Sequence, residues 1–246
     1  MKILLCNDDG IYSSGIIKLA ERLSCDNEVM VVAPNKNRSA CSHSLSINKP
    51  IKITEIKEFE KFKAYSISGT PCDCVKIAKL KFSNFNADIV VSGINKEHNL
   101  GSDILYSGTV AIACEAAYFG NISFAFSAFN RDDNDFIVYS DYAVKIIDLL
   151  LPLSNRGDIW NINFPNVDVS KIKGLKITQL GKQIYSDRYE KVTENEYKLV
   201  GELVEHNEND SDCDIEWIKK GYITVTPILF NKTNYKKIKK IGNLII

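Results

Sequence analysis

The chain opens on an apolar run, Ile3-Leu4-Leu5-Cys6, that stops on Asn7-Asp8-Asp9-Gly10. A short run that is apolar at every position and ends in turn formers reads as a strand buried on both faces. In residues 13–24, Ile16, Leu19, Ala20 and Leu23 recur at helical spacing, with Lys18, Glu21 and Arg22 on the opposite face. Residues 28–33, Glu-Val-Met-Val-Val-Ala, then give a second strand that Pro34 ends. A strand, a helix and a strand in this order form a crossover that is normally right-handed, with the two strands parallel.

The alternation continues. Residues 51–56 and 63–67 read as a pair of strands, and Gly69-Thr70-Pro71 opens a helix through Lys81, with Thr70 at the cap and Pro71 in the first turn. Strands are expected at 88–92, 123–127 and 158–164, and helices at 107–120 and 135–151. Such a rhythm argues for an α/β fold, a parallel or mixed sheet with helices on both faces. After about residue 174 it breaks down. Residues 175–180, 183–193 and 196–204 look extended with no helix between them, followed by a short helix at 214–220 and a strand at 222–226. This stretch reads as an antiparallel excursion that leaves the main sheet and returns to it.

Bulk composition removes several function classes. At 246 residues the chain is long enough for one large α/β domain or two small ones. Lys plus Arg and Asp plus Glu are both 31, so overall charge recruits neither a nucleic-acid polymer nor an anionic membrane. The basic run 232–240 is local and reads as a solvated face. No segment has the length of a membrane span, and residues 1–10 lack the pattern of a signal sequence, which places the chain in the cytoplasm. The 7 cysteines, several in apolar surroundings such as Cys6 and Cys114, fit reduced thiols. Cys72 and Cys74 form a Cys-x-Cys with no second pair at zinc-finger spacing, and with only 3 histidines (His43, His98 and His206) a histidine-built zinc site is disfavoured.

In an open parallel sheet, ligands bind beyond the carboxyl ends of the strands. Three polar loops leave that edge, at 7–10, 34–46 and 93–103, and they bring Asp8, Asp9, Ser39 and Asn95 within reach of one another. All four offer oxygen, the donor that Mg²⁺, Mn²⁺ or Ca²⁺ takes. Two adjacent carboxylates in a crevice repel, and a divalent ion resolves that conflict. The same acids have a plainer reading as a turn that caps the next helix and faces water. Ser107-Gly108-Thr109 at a helix start adds a site for a phosphate, with an ordinary cap as its plainer reading. Metal and anion sites on one edge suggest phosphoryl chemistry.

Competing motifs are missing. There is no Gly-x-Gly-x-x-Gly after the first strand, no Walker A lysine and no Gly-x-Ser-x-Gly elbow. Haloacid-dehalogenase-type phosphatases need two aspartates separated by one residue, whereas Asp8 and Asp9 are adjacent. Receiver domains need a phospho-accepting aspartate at a later strand end, and Ser92-Gly93-Ile94-Asn95 offers none.

Several ordered blocks together resemble the SurE survival-protein family of metal-dependent nucleotidases. They are Ile3 through Gly10, Ala33-Pro34 with Asn37-Arg38-Ser39, Ser92-Gly93-Ile94-Asn95, Asn99-Leu100-Gly101, and Tyr106-Ser107-Gly108-Thr109-Val110. Weaker blocks are Gly69-Thr70-Pro71 with Asp73-Cys74-Val75, Asn161 through Pro165, and Gly221-Tyr222 through Pro227.

The resemblance implies a three-layer αβα Rossmann-like mixed sheet with a C-terminal antiparallel β extension used in assembly of a homodimer or homotetramer. The whole of 1–246 would be a single domain, with its core at about 1–174 and 222–230 and the oligomerisation region at about 175–221. By position, Asp8, Asp9, Ser39 and Asn95 would hold one divalent cation per subunit, Mg²⁺ or Mn²⁺ first and Ca²⁺ after them. Asn99, Ser107, Gly108 and Thr109 would surround the phosphate, and Asp8 or Asp9 would handle the proton. The implied activity is hydrolysis of nucleoside 5′-monophosphates, with 3′-monophosphates as a further class. The alternative is a non-catalytic, metal-dependent nucleotide-binding or signalling module. Its motive is Glu97, which stands where the family pattern has glycine and adds negative charge beside a phosphate site. Ala116 replaces a second family glycine.

Overall fold

Along the first strand, Ile3 and Leu5 join one apolar cluster while Leu4 and Cys6 join another on the opposite face. Period-two alternation with both faces buried needs a layer of helices on each side, and the computed structural model has that arrangement. It describes residues 1–129, 132–204 and 212–242. His206 and residues 205–211 of the expected extended stretch lie outside them.

The sheet-forming strands are β1 (Lys2–Cys6), β2 (Glu28–Pro34), β3 (Ile53–Ile56), β4 (Lys63–Ile67), β5 (Ile89–Asn95), β6 (Ile122–Ala128), β7 (Ile159–Phe164) and β8 (Leu175–Ile177). Then come β9 (Arg188–Lys191), β10 (Tyr197–Val200) and β11 (Ile223–Ile228). The helices are α1 (Ser14–Leu23), α2 (Pro71–Lys81), α3 (Gly108–Tyr118), α4 (Asp135–Leu150), α5 (Asp214–Lys219) and α6 (Tyr235–Ile241). Nine strands form one sheet in the order β3-β4-β2-β1-β5-β6-β7-β11-β8, and β9 and β10 form a separate antiparallel pair. The mixed α/β architecture read from the sequence is the one observed.

Helices α1 and α4 cover one face, where Ile16 and Leu19 pack with Phe136, Tyr139 and Ile147 over Ile3, Val31 and Phe126. On the other face α2 and α3 contribute Val75, Ala78, Ile112 and Ala116 over Leu4, Val32 and Val90. Thr70 and Asp73 form the capping box that starts α2, as Gly69-Thr70-Pro71 predicts.

Strand β1 pairs parallel with β2 on one side and β5 on the other, with Cys6 opposite Ser92. Connections from these strands run in opposite directions across the sheet, so a crevice opens at their carboxyl ends. Both Asn7–Gly10 and the end of β5 lie at that switch.

One feature differs from the sequence reading. Leu175–Ile177 does not leave the sheet but ends it, pairing parallel with β11, while β11 runs antiparallel to β7. The long connection from β8 through the β9–β10 pair and α5 to β11 is the crossover that a parallel pair requires. The extended excursion therefore starts after β8.

Candidate metal and phosphate site

The turn after β1 is held by Asn7, a fully buried residue. Its amide nitrogen donates to Gly10 O (3.0 Å) and Ser13 Oγ (2.7 Å), and its Oδ1 accepts from Gly10 N (3.2 Å). Asn7 therefore supplies the turn, and the two aspartates are released from that task. They do not cap α1 either: Ser13 occupies the cap position and the first turn holds no acid. The capping alternative for Asp8 and Asp9 has no support in the geometry.

Asp8 is 4% exposed and faces the start of α3. Thr109 donates its hydroxyl to Asp8 Oδ1 at 2.5 Å. A Cβ on Gly108 would lie 2.7 Å from both Asp8 Cβ and Oδ2, so only glycine lets the helix end come this close. Burial pushes the Asp8 carboxyl up to about 6, against the Thr109 hydrogen bond that lowers it, and the neighbouring Asp9 charge adds to the rise.

Asp9 is also raised, first by burial. The Lys96 charge opposes that rise and the Glu97 charge adds to it. Asn37 Nδ2 donates to Asp9 Oδ1 at 3.4 Å, while Asp9 Oδ2 is buried with no hydrogen-bond partner. A buried, unpartnered carboxylate oxygen beside a second carboxylate is a deficit that a cation fills.

The loop after β2 reaches this pair through its backbone. Arg38 N donates to Asp8 O at 2.7 Å, and Ser39 N to Asn37 Oδ1 at 2.7 Å. Asn37 thus links Asp9 to Ser39, whose hydroxyl is on an exposed residue at the rim. From the β5 side, Gly93 adopts φ +125°, and a Cβ there would lie 2.3 Å from Phe126 O. At this point the β5–β6 register shifts between Ser92 and Asn95, which re-aims the strand end. Asn95 spends its amide nitrogen on Glu97 O (2.7 Å), so its side-chain oxygen is the atom that could hold a cation. Glu97 does not take a positive φ, so the backbone tolerates the side chain that replaces glycine.

The expected phosphate residues divide into two kinds. Ser107 caps α3 by accepting from Val110 N at 3.1 Å, and Thr109 is bound to Asp8. Ser107, Gly108 and Thr109 thus stand at the helix start beside the carboxylates, where the helix dipole favours an anion. Asn99 is tied more deeply into the body. Its Nδ2 donates to Ser127 Oγ (2.7 Å), its backbone N to Asn163 Oδ1 (2.8 Å), and its carbonyl accepts from Asn161 and Asn163.

Asn7, Asn37 and Lys96 were not among the residues expected to build the site. Asn37 lies two positions before Ser39 and Lys96 directly after Asn95, so adjacency to a candidate oxygen donor was the available signal.

Loops from β1, β2 and β5 therefore meet at one helix N-terminus around the buried Asp8 and the half-buried Asp9. Comparison with known proteins shows the family. A family profile described as survival protein SurE matches residues 3–187. The chain belongs to the SurE family. A protein named 5′-nucleotidase SurE from Clostridium botulinum (strain Eklund 17B / Type B) is 40% identical over 250 aligned positions, covering 99% of each chain. One of the same name from Thermoanaerobacter sp. (strain X514) is 42% identical, covering 99% of this chain and 98% of its own. Among solved structures, the SurE protein from Aquifex aeolicus superposes with a TM-score of 0.83 at 37% identity, covering 98% of both chains. Among the described residues no helix is long and apolar enough to cross a membrane.

Proposed function

We propose that this chain is a divalent-metal-dependent phosphomonoesterase that releases phosphate from nucleoside 5′-monophosphates, with 3′-monophosphates as a second class. The observation that carries the reading is the unpartnered Asp9 oxygen beside the buried Asp8 carboxyl at the start of α3. The curated relatives, alike over nearly their full length, bear the name of an enzyme, which favours catalysis over a non-catalytic nucleotide-binding module.

Asp8, Asp9, Ser39 and Asn95 supply an all-oxygen donor set that suits Mg²⁺ or Mn²⁺. Such a cation, when bound, polarises phosphorus and offsets phosphate charge. The chain contributes the rest. Thr109 fixes the Asp8 carboxylate, and the first-turn amides of α3 face the place where charge develops on the phosphoryl oxygens. Asp9, with an oxygen free of hydrogen bonds, is the acid that takes a proton from the attacking water. We assign the enzyme to the cytoplasm.

Assembly as a homodimer or homotetramer through the β9–β10 arm belongs to the same proposal. Its support is an arm that exposes Tyr189 and Leu199 and whose strands, among the described residues, pair only with each other. A particle of monomer mass in light scattering at micromolar concentration overturns that part.

The test of the activity is phosphate release from AMP and GMP with Mg²⁺ or Mn²⁺, and its loss in chelator. Asp9→Asn should lower turnover by more than about 100-fold while the melting temperature in chelator stays near wild type. Failure of every monophosphate from acid to neutral pH, with metal supplied, overturns the reading.

A further inference from the structure

Behind α3, away from the acid pair, three side chains of different chemistry converge. The nitrogen of His43, the sulfur of Cys72 and a carboxylate oxygen of Glu115 all lie within 4.8 Å of one another. We propose that His43, Cys72 and Glu115 form a second metal site, selective for a borderline transition-metal cation such as Zn²⁺ rather than Mg²⁺ or Ca²⁺.

Donor type separates the two sites. Asp8, Asp9, Ser39 and Asn95 present oxygen alone, which suits hard cations. One imidazole, one thiol and one carboxylate are the set that Zn²⁺ and Co²⁺ take in sites with three protein ligands. Position supports the assignment. Cys72 and Glu115 are buried on α2 and α3, two packed helices, so the sulfur and the carboxylate stand on rigid elements. His43 comes from the long loop after β2, with its side chain 34% exposed. It lines a cleft of about 1140 Å³ that opens toward solvent between Ser107, Cys114 and Phe230, and the cleft is the entry path for an ion.

His43 Nε2 donates to Glu115 Oε2 at 2.7 Å, and Lys76 Nζ pairs with Glu115 Oε1 at 2.7 Å. Each carboxylate oxygen therefore has its own partner. A cation on Oε2 replaces only the histidine hydrogen bond and leaves the lysine pair in place. Lys76 is also held over the rings of Tyr118 and Phe119, at 5.7 and 5.2 Å from their centroids. Burial keeps the Cys72 thiol protonated. On binding, the S–H bond breaks, its proton goes to solvent, and the sulfur lone pair forms the bond to the metal.

The test uses the full-length chain stripped by chelator and titrated with Co²⁺ in excess Mg²⁺. A thiolate-to-cobalt charge-transfer band that saturates at one equivalent, and that Zn²⁺ removes, is the expected result. Cys72→Ala should abolish the band, and His43→Ala should weaken cobalt affinity by more than about tenfold. Asp9→Asn and Cys25→Ser should leave both band and affinity unchanged. Absence of the band in wild type overturns the site, as does its survival in Cys72→Ala or its loss in Asp9→Asn. Because His43 is on a partly exposed loop, His43→Ala still reads the site if a change at buried Cys72 disturbs folding, which circular dichroism reports. Nucleotide hydrolysis is not used, so this outcome is independent of the activity proposed above.

Discussion

The start of α3 and the arm built by β9 and β10 are opposites in construction. At the start of α3, Asp8, Thr109 and Gly108 are buried against one another with no room for one more carbon atom. In the arm, Tyr189 is 71% exposed, Tyr197 60% and Leu199 55%, and the two strands bond to each other but not to the large sheet. A two-stranded pair of this kind is marginal alone. Packing fixes the Asp8 carboxylate in place, while the arm presents apolar side chains that stay exposed among the described residues. The proposed chemistry lies where the fold is tightest, and the proposed association where it is loosest.

Substitutions that loosen the tight end should have the largest effect. Gly108→Ala forces a methyl group into the Asp8 carboxylate, and kcat/KM should fall by more than about 100-fold, with about 1–3 kcal/mol lost in a denaturant titration. Wild-type activity in that variant would mean that α3 can retreat without consequence.

A pH series in chelator comes next. The folded state keeps the Asp8 proton up to about pH 6, whereas an unfolded aspartate releases it near pH 4. Between those values the folded state binds more protons, so this group makes stability fall as pH rises, by about 2–3 kcal/mol across the window. Asp8→Asn should flatten that part of the slope and be more stable than wild type at pH 7 without metal. Parallel curves for the two proteins in urea would remove Asp8 as the cause.

Thr109→Val keeps the shape and deletes the hydroxyl that donates to Asp8. It should cost about 1.5–3 kcal/mol at pH 7, where Asp8 is charged, and less at pH 4, where it is not. Equal losses at both pH values would show that packing, not the hydrogen bond, is what Thr109 contributes.

The arm should be least sensitive within one subunit. Tyr189→Ser with Leu199→Ser should change unfolding free energy, measured on the dissociated chain at high dilution, by less than about 0.5 kcal/mol. The same pair should shift sedimentation toward smaller particles at micromolar concentration. A large loss of stability at high dilution would bring the arm into the body of the fold and end the contrast.

How much of this could be read from the sequence follows the same division. Local signals were sufficient for the framework. Apolar runs gave the strands, Gly69-Thr70-Pro71 gave a helix start, and Asp8, Asp9, Ser39 and Asn95 were recognisable as oxygen donors at strand ends. Contacts distant along the chain were not legible. Thr109 meets Asp8 across 101 positions and His43 meets Glu115 across 72, and no periodicity encodes either pairing. A hydroxyl at a helix start looks like a cap or an anion site, and only the packing of α3 on β1 shows that it holds an acid. The direction of β8 was hidden for a related reason. Leu175-Lys176-Ile177 fits either edge of a sheet, and the pairing with β11 depends on how a connection of more than forty residues folds back.

Asp214 joins the two regions. Its carboxylate accepts from Gly101 N and Gly181 N, both at 2.8 Å, and from Ile215 N at 2.9 Å. Further out, Ser186 N donates to Glu202 O at 2.9 Å and Val204 N to Ile184 O at 2.8 Å, closing the hairpin at its base. The arm is thus a cassette with its clasp on the enzyme body. Its outer part can be shortened, lengthened or exchanged for that of a relative while the clasp, and the loop of Asn99 beside it, stay as they are. Selection can retune the arm, and with it the proposed assembly, without reopening the geometry around the two aspartates.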